Sequence, residues 1–110
     1  MTEPRDPVAT SDLQTRNTEF WNNLADANPD AVIFDGPGPD NLFDDCIIGY
    51  ATRINFPPVL VYDEEQMIDT LATAENLEYP EAHEYLSFNT FGAWFGEGTP
   101  LILTRKHPHD

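Results

Sequence analysis

Between Ile54 and Thr104 this chain contains no lysine and no arginine, and Lys106 is its only lysine. Cysteine is almost as scarce. Cys46 stands alone, which excludes an intrachain disulfide and a cysteine metal cluster. Long apolar runs are missing too: nothing approaches the ~20 residues that a membrane-crossing helix needs. The first residues, Met1 to Pro7, lack the basic and then apolar run of a signal peptide. A soluble, cytoplasmic protein with no membrane role is the expectation.

What is present is acid. Five basic residues face twenty carboxylates, for a net charge of −15 over 110 residues. The stretch without cations holds Asp63, Glu64, Glu65, Asp69, Glu75, Glu78, Glu81, Glu84 and Glu97. Folded domains usually intersperse both signs on their surfaces. A lopsided field repels nucleic acid and anionic membranes and attracts basic surfaces. Direct nucleic-acid binding is therefore excluded as an expectation. Extreme acidity with little lysine is also found in proteins from saline habitats, where charge maintains solvation and names no partner.

High charge and low mean hydropathy favour disorder. Two tryptophans, four tyrosines and seven phenylalanines oppose it, because each can bury a large area. The length fits one domain. Residues 1–10 read as a flexible arm, 11–104 as a single α+β domain and 105–110 as a polar tail. Ser11 is placed as the cap of a helix to about Ala27, with Leu13, Phe20, Trp21 and Leu24 on one face. Ala31-Val32-Ile33-Phe34 reads as a short buried strand. A rigid Gly-Pro loop follows. Asp40 or Asn41 then caps a helix to about Ala51, with Leu42, Phe43, Cys46, Ile47 and Tyr50 inward.

Val59-Leu60-Val61-Tyr62 is dense in β-formers and reads as the second strand. Asp63 with Gln66 marks a helix start. Its core stripe is Met67, Ile68, Leu71 and Ala74, and Asn76 ends it. Pro80 at a first helical position opens a helix to about Trp94. The inner face of that helix is Ala82, Leu86, Asn89 and Ala93, or else Tyr85, Phe88 and Gly92. Leu101-Ile102-Leu103 is the third strand. The expected fold is α+β, a small sheet of about three strands packed against three to four helices.

Candidate chemistry is thin. Asp35, Asp40, Asp44 and Asp45 cluster around the Gly-Pro loop and could hold a divalent metal, but they miss the EF-hand pattern. Turn and cap roles explain them more simply. His83-Glu84 begins like a zinc-protease helix, yet Ser87 stands where the second histidine belongs. Cys46 falls on an apolar face and reads as a buried, inert thiol. Ser87 lacks a glycine-flanked elbow, and no glycine forms a phosphate loop. No catalysis, metal or cofactor is expected.

Two features suit recognition. Glu81 with Glu84, and Glu75 with Glu78 if the link between them is helical, sit about one helical turn apart, where neighbours lie ~5–6 Å from each other. That spacing can imitate a phosphate backbone, so Asp63, Glu64, Glu65, Glu75, Glu78, Glu81 and Glu84 are candidate partner-binding residues. Phe88, Phe91, Trp94 and Phe95 crowd the end of the last helix; a core role is the simpler reading, and Phe91 and Phe95 are the best candidates for exposed anchors. A homodimer is a further reading.

Four pieces between Val32 and Leu103 carry a resemblance: Phe43-Asp44-Asp45 leading to Ile48-Gly49; Pro57-Pro58-Val59-Leu60-Val61-Tyr62-Asp63; Glu81-Ala82-His83-Glu84-Tyr85 continuing to Phe88-Asn89; and Gly92-Ala93-Trp94-Phe95-Gly96-Glu97-Gly98-Thr99-Pro100. The chain resembles a family of small acidic proteins of tailed bacteriophage genomes. The family's helix often starts after Ser or Thr, where Tyr79-Pro80 stands here. No residue role carries over from it. The resemblance implies expression in a prokaryotic host cytoplasm, a setting in which small acidic proteins act as inhibitors of host nucleic-acid enzymes. Three functions remain open at this point. One is an inhibitor that blocks the basic nucleic-acid-binding surface of a host nuclease, in the manner of a DNA mimic (anti-restriction or anti-CRISPR class). Another is a virion, assembly or homo-oligomeric structural protein. The last is a divalent-metal enzyme using the Asp35–Asp45 cluster.

Overall fold

The computed structural model describes residues 18–34, 41–106 and 108. The N-terminal arm, Ser11 with Leu13, the loop from Asp35 to Asp40, His107 and His109 lie outside the described residues. The element order is α1 (Thr18–Ala27), a 3₁₀ turn (Asp44–Cys46), β1 (Ile47–Arg53), β2 (Phe56–Asp63), α2 (Glu64–Glu75), α3 (Tyr79–Leu86), a π-turn (Ser87–Phe91) and β3 (Leu101–Leu103). These form one α+β unit of three helices on a three-stranded mixed sheet of order β1-β2-β3.

β2 is the central strand. It pairs antiparallel with β1 and parallel with β3. Prolines inside a central strand normally cost a ladder hydrogen bond. Pro57 and Pro58 escape this by position. They sit where the β1 register shifts, between Ala51 and Arg53, and before β3 begins to pair at Val61. The Pro58 carbonyl instead accepts from Asn28 Nδ2 at 2.8 Å.

The expected helix over residues 41–51 is not formed. Leu42, Phe43, Cys46, Ile47 and Tyr50 have helical spacing, but Ile47 to Arg53 is a strand. Its β-branched and aromatic residues suit a pleated surface, and Gly49 is a poor helix former. A two-residue turn with Asn55 at φ 69° folds β1 back on β2, a conformation asparagine tolerates. Tyr50 is exposed on this strand and packs against Phe20 of α1 at 5.3 Å between ring centroids.

The expected strand at Ala31–Phe34 is also absent, although all four residues are buried. Their backbone bonds elsewhere. Val32 N–H donates to Gly98 O at 3.0 Å, and Phe34 N–H donates to the buried Tyr62 hydroxyl at 2.9 Å. Gly98 lies so close to the Asp30 carbonyl that a Cβ has no room. A buried segment needs its polar groups satisfied, and these partners do so without a ladder.

The rows of the sheet divide into two faces. Leu60, Tyr62 and Ile102 turn toward the helices, where Leu60 and Tyr62 are fully buried with Phe34, Phe43, Met67, Ile68, Leu71, Ala82 and Leu86. Each such large apolar side chain contributes roughly 1.5–3 kcal/mol by leaving water. The alternate row, Val59, Val61, Leu101 and Leu103, points to the opposite side.

Candidate protein-binding surface

The acidic surface is built by two helix starts. Asp63 ends β2 and caps α2, its Oδ1 accepting from Gln66 N–H at 3.0 Å. The acids Glu64 and Glu65 that follow face the positive end of the helix. Met67, Ile68 and Leu71 form the core stripe as expected, but Ala74 is exposed. Asn76, at φ 54°, closes α2 in the left-handed region.

Asp63 itself does not belong to the exposed set. It is 2% exposed, and Arg105 Nε donates to its other carboxylate oxygen. Burial pushes its pKa up, but the Arg105 guanidinium and the Gln66 and Glu65 amides outweigh burial and hold the carboxyl below its usual value. Arg105, in the segment read as a polar tail, is thus a partner of the domain.

α3 begins at Tyr79, so Pro80 occupies its second position rather than its first. No Ser or Thr is needed at the start. Glu78 and Glu81 form a reciprocal capping box, with Glu81 Oε1 accepting from Glu78 N–H at 3.0 Å. Ala82 and Leu86 are the buried face; Asn89, Tyr85, Phe88 and Gly92 are exposed. The α-helix stops at Leu86 and widens into the π-turn, which Gly92 ends, short of Trp94.

Tyr79 joins the two helices. Its hydroxyl donates to Glu65 Oε1 at 2.7 Å, and its ring stacks on His83 with centroids 6.5 Å apart. The phenol pKa is pushed up to about 12, first by the bond to Glu65, then by desolvation, then by the charges of Glu65, Glu64 and Asp69. The start of α3 therefore lies within the field of the acids on α2. Glu65, Asp69, Glu75, Glu78, Glu81 and Glu84 are exposed and Glu64 is half-buried. Among the described residues none of these seven is in an ion pair.

The aromatic anchors differ from the expectation. Phe91 and Phe95 are partly buried against the core, Phe95 edge-on to Phe34 at 6.3 Å. The exposed pair is Phe88, at 82%, and Trp94, at 75%. The π-turn adds a residue to the helical period, which rotates the following side chains away from the positions that 3.6-residue spacing assigns. No local sequence signal marks that bulge. Phe88 stands one turn beyond Glu84 and extends the acidic helix with an apolar tip.

The remaining candidates fall in separate places. Asp44 and Asp45 lie in the 3₁₀ turn, and no group of three or more metal-ligating side chains occurs among the described residues. Cys46 is buried with its sulfur 3.5 Å from the Thr70 hydroxyl. Burial pushes the thiol up, the Thr70 bond opposes this, and the charges of Asp45, Asp63 and Asp44 add to the rise; such a thiol is a poor nucleophile at neutral pH. No helix among the described residues is long and apolar enough to cross a membrane. No protein-family model, curated protein or solved structure shows significant similarity to the chain.

Proposed function

We propose that this chain is a small acidic protein-binding module. In this reading it is an inhibitor of the phage type that occupies the basic nucleic-acid-binding surface of a host enzyme, in the anti-restriction or anti-CRISPR class. One observation carries the reading. Exposed carboxylates of α2 reach Tyr79 at the start of α3, where Glu78, Glu81 and Glu84 are also exposed, and among the described residues no cation is paired with any of them. Lysine and arginine that otherwise neutralise phosphates would find carboxylates at helical spacing instead, and Phe88 would supply an apolar contact beside them. The module needs no catalytic group for this role.

Pull-down from a prokaryotic cytoplasm, followed by competition with DNA for the captured enzyme, tests the proposal. Capture is expected to weaken by at least tenfold between 50 and about 200 mM salt, as charge-driven contacts do. It is expected to vanish when Glu78, Glu81 and Glu84 are all changed to lysine. Binding that ignores both changes, or an enzyme that still engages DNA when saturated with this protein, overturns it.

A further inference from the structure

The outer face of the sheet exposes large apolar side chains. Trp94, Leu101 at 52% exposure, Leu103 and Phe56 all show large apolar area there. Together with Ala51 and Val59, Trp94, Leu101 and Phe56 line an open cleft of about 220 Å³. Small helix-on-sheet proteins must cover an apolar sheet face or keep it polar. Here the middle of the face is covered, with Val59 buried and Val61 half-buried, but the described residues leave Trp94, Leu101, Leu103 and Phe56 exposed.

Charge decides what fits. Two opposite charges border the cleft, Arg53 and Glu97. Arg53 lies over the Phe56 ring at 4.0 Å, yet it forms no ion pair with Glu97 within the chain. A face that holds one cation and one anion, neither in an ion pair among the described residues, is complementary to itself under a two-fold rotation. In a two-fold contact, residue i of one copy meets j of the other, and j meets i. The acids of α2 and α3 lie on the helices, across the core from this face, so the contact keeps the two strongest negative fields apart.

We infer that the outer sheet face is where two copies of this chain join, with Trp94 of each copy seated over the cleft of its partner and Arg53 facing the partner's Glu97. The product is two sheets packed face to face with the helices outside. Trp and Arg are the residue types that most often dominate such contacts. A standard contact takes about 800 Å² from each partner, a small share of the 7240 Å² surface of one copy.

Sedimentation of the purified protein, with no partner present, tests this directly. A monomer–dimer equilibrium is expected, and salt is expected to tighten it by screening the repulsion between two chains of −15 each. Trp94→Glu is expected to raise the dimer dissociation constant by about 30-fold or more. Its circular dichroism should be unchanged, because the residue is exposed. Arg53→Glu and Glu97→Arg should each weaken self-association, and a one-to-one mixture of the two should restore a dimer containing both chains. Trp21 is buried, so acrylamide quenching reads Trp94 alone and should fall as concentration rises. A protein that stays monomeric at about millimolar concentration, the range of weak contacts, overturns the inference. So do open-ended polymers, which signal a head-to-tail contact, and so does a monomer whose Trp94 is protected at every concentration.

Discussion

On the helical side the exposed groups include the carboxylates of α2 and α3, Glu65 with Asp69 and Glu81 with Glu84 a turn apart, beside the apolar Phe88. On the outer side of the sheet they are Trp94, Leu101 and Leu103, and the described cations Arg53, Arg105 and Lys106 all lie on or just beyond strands. Most surfaces mix these ingredients. Here they are sorted by layer, because one element type starts at acidic caps and the other alternates apolar residues through its pleat. The two sides should therefore answer salt in opposite ways. A basic partner on the helices is released as ions screen the attraction, whereas apolar joining of two sheets is helped as ions screen the repulsion.

The two layers share one core, and damage there has the largest effect. Leu60 is fully buried between the layers, and Leu60→Ala is expected to cost about 2–5 kcal/mol in unfolding free energy. Chemical denaturation measures this. Both surfaces should fail together, since neither has a separate support.

A smaller effect comes from the place where the layers are fastened. Asp63 has a lowered pKa in the fold, so its charged form is the stabilising one. Its contribution is complete above the unfolded value, near 3.8, and is lost as pH falls through the still lower folded value. Asp63→Asn retains a capping oxygen but removes the charge. It is expected to cost about 1–2 kcal/mol at neutral pH and to flatten the acid limb of a stability–pH curve measured by urea unfolding.

The smallest effect on stability separates the faces most sharply. Phe88 is almost bare, so Phe88→Ser should change unfolding free energy by no more than about 0.5 kcal/mol. The same change should leave self-association untouched while weakening capture by a basic partner. Loss of dimer in this variant would show that Phe88 serves the sheet side.

Part of this arrangement is legible in the residues. Val59–Tyr62 announces a strand by composition, Asp63 to Gln66 a helix start by capping chemistry, and Asn76 its end. These signals are local and reinforce one another. Residues 41–51 are not legible, because Cys46, Ile47 and Tyr50 satisfy a helical spacing while pairing with β2 settles the outcome. Ala31–Phe34 shows the reverse problem. Four apolar residues demand burial, but only Gly98 and Tyr62, far along the chain, determine that the backbone is satisfied without a ladder. At the candidate surface, Glu81 with Glu84 can be read from spacing alone, whereas Glu75 and Glu78 do not share a helix, because Asn76 ends α2 between them. The withdrawal of Asp63 by Arg105 cannot, and neither can the exchange of Phe91 and Phe95 for Phe88 and Trp94 at the π-turn.

The bond between Arg105 and Asp63 spans 42 positions. The β1–β2 hairpin and the first turn of α2 are specified by neighbours in the chain, whereas β3 and the guanidinium behind it must return over both helices to reach β2. Closing so long a loop is entropically costly until the docked strand repays it. During synthesis the carboxylate at the head of α2 is thus made first and its counter-charge last. The cation therefore acts as a long-range latch that fastens the segment after β3 to the head of α2.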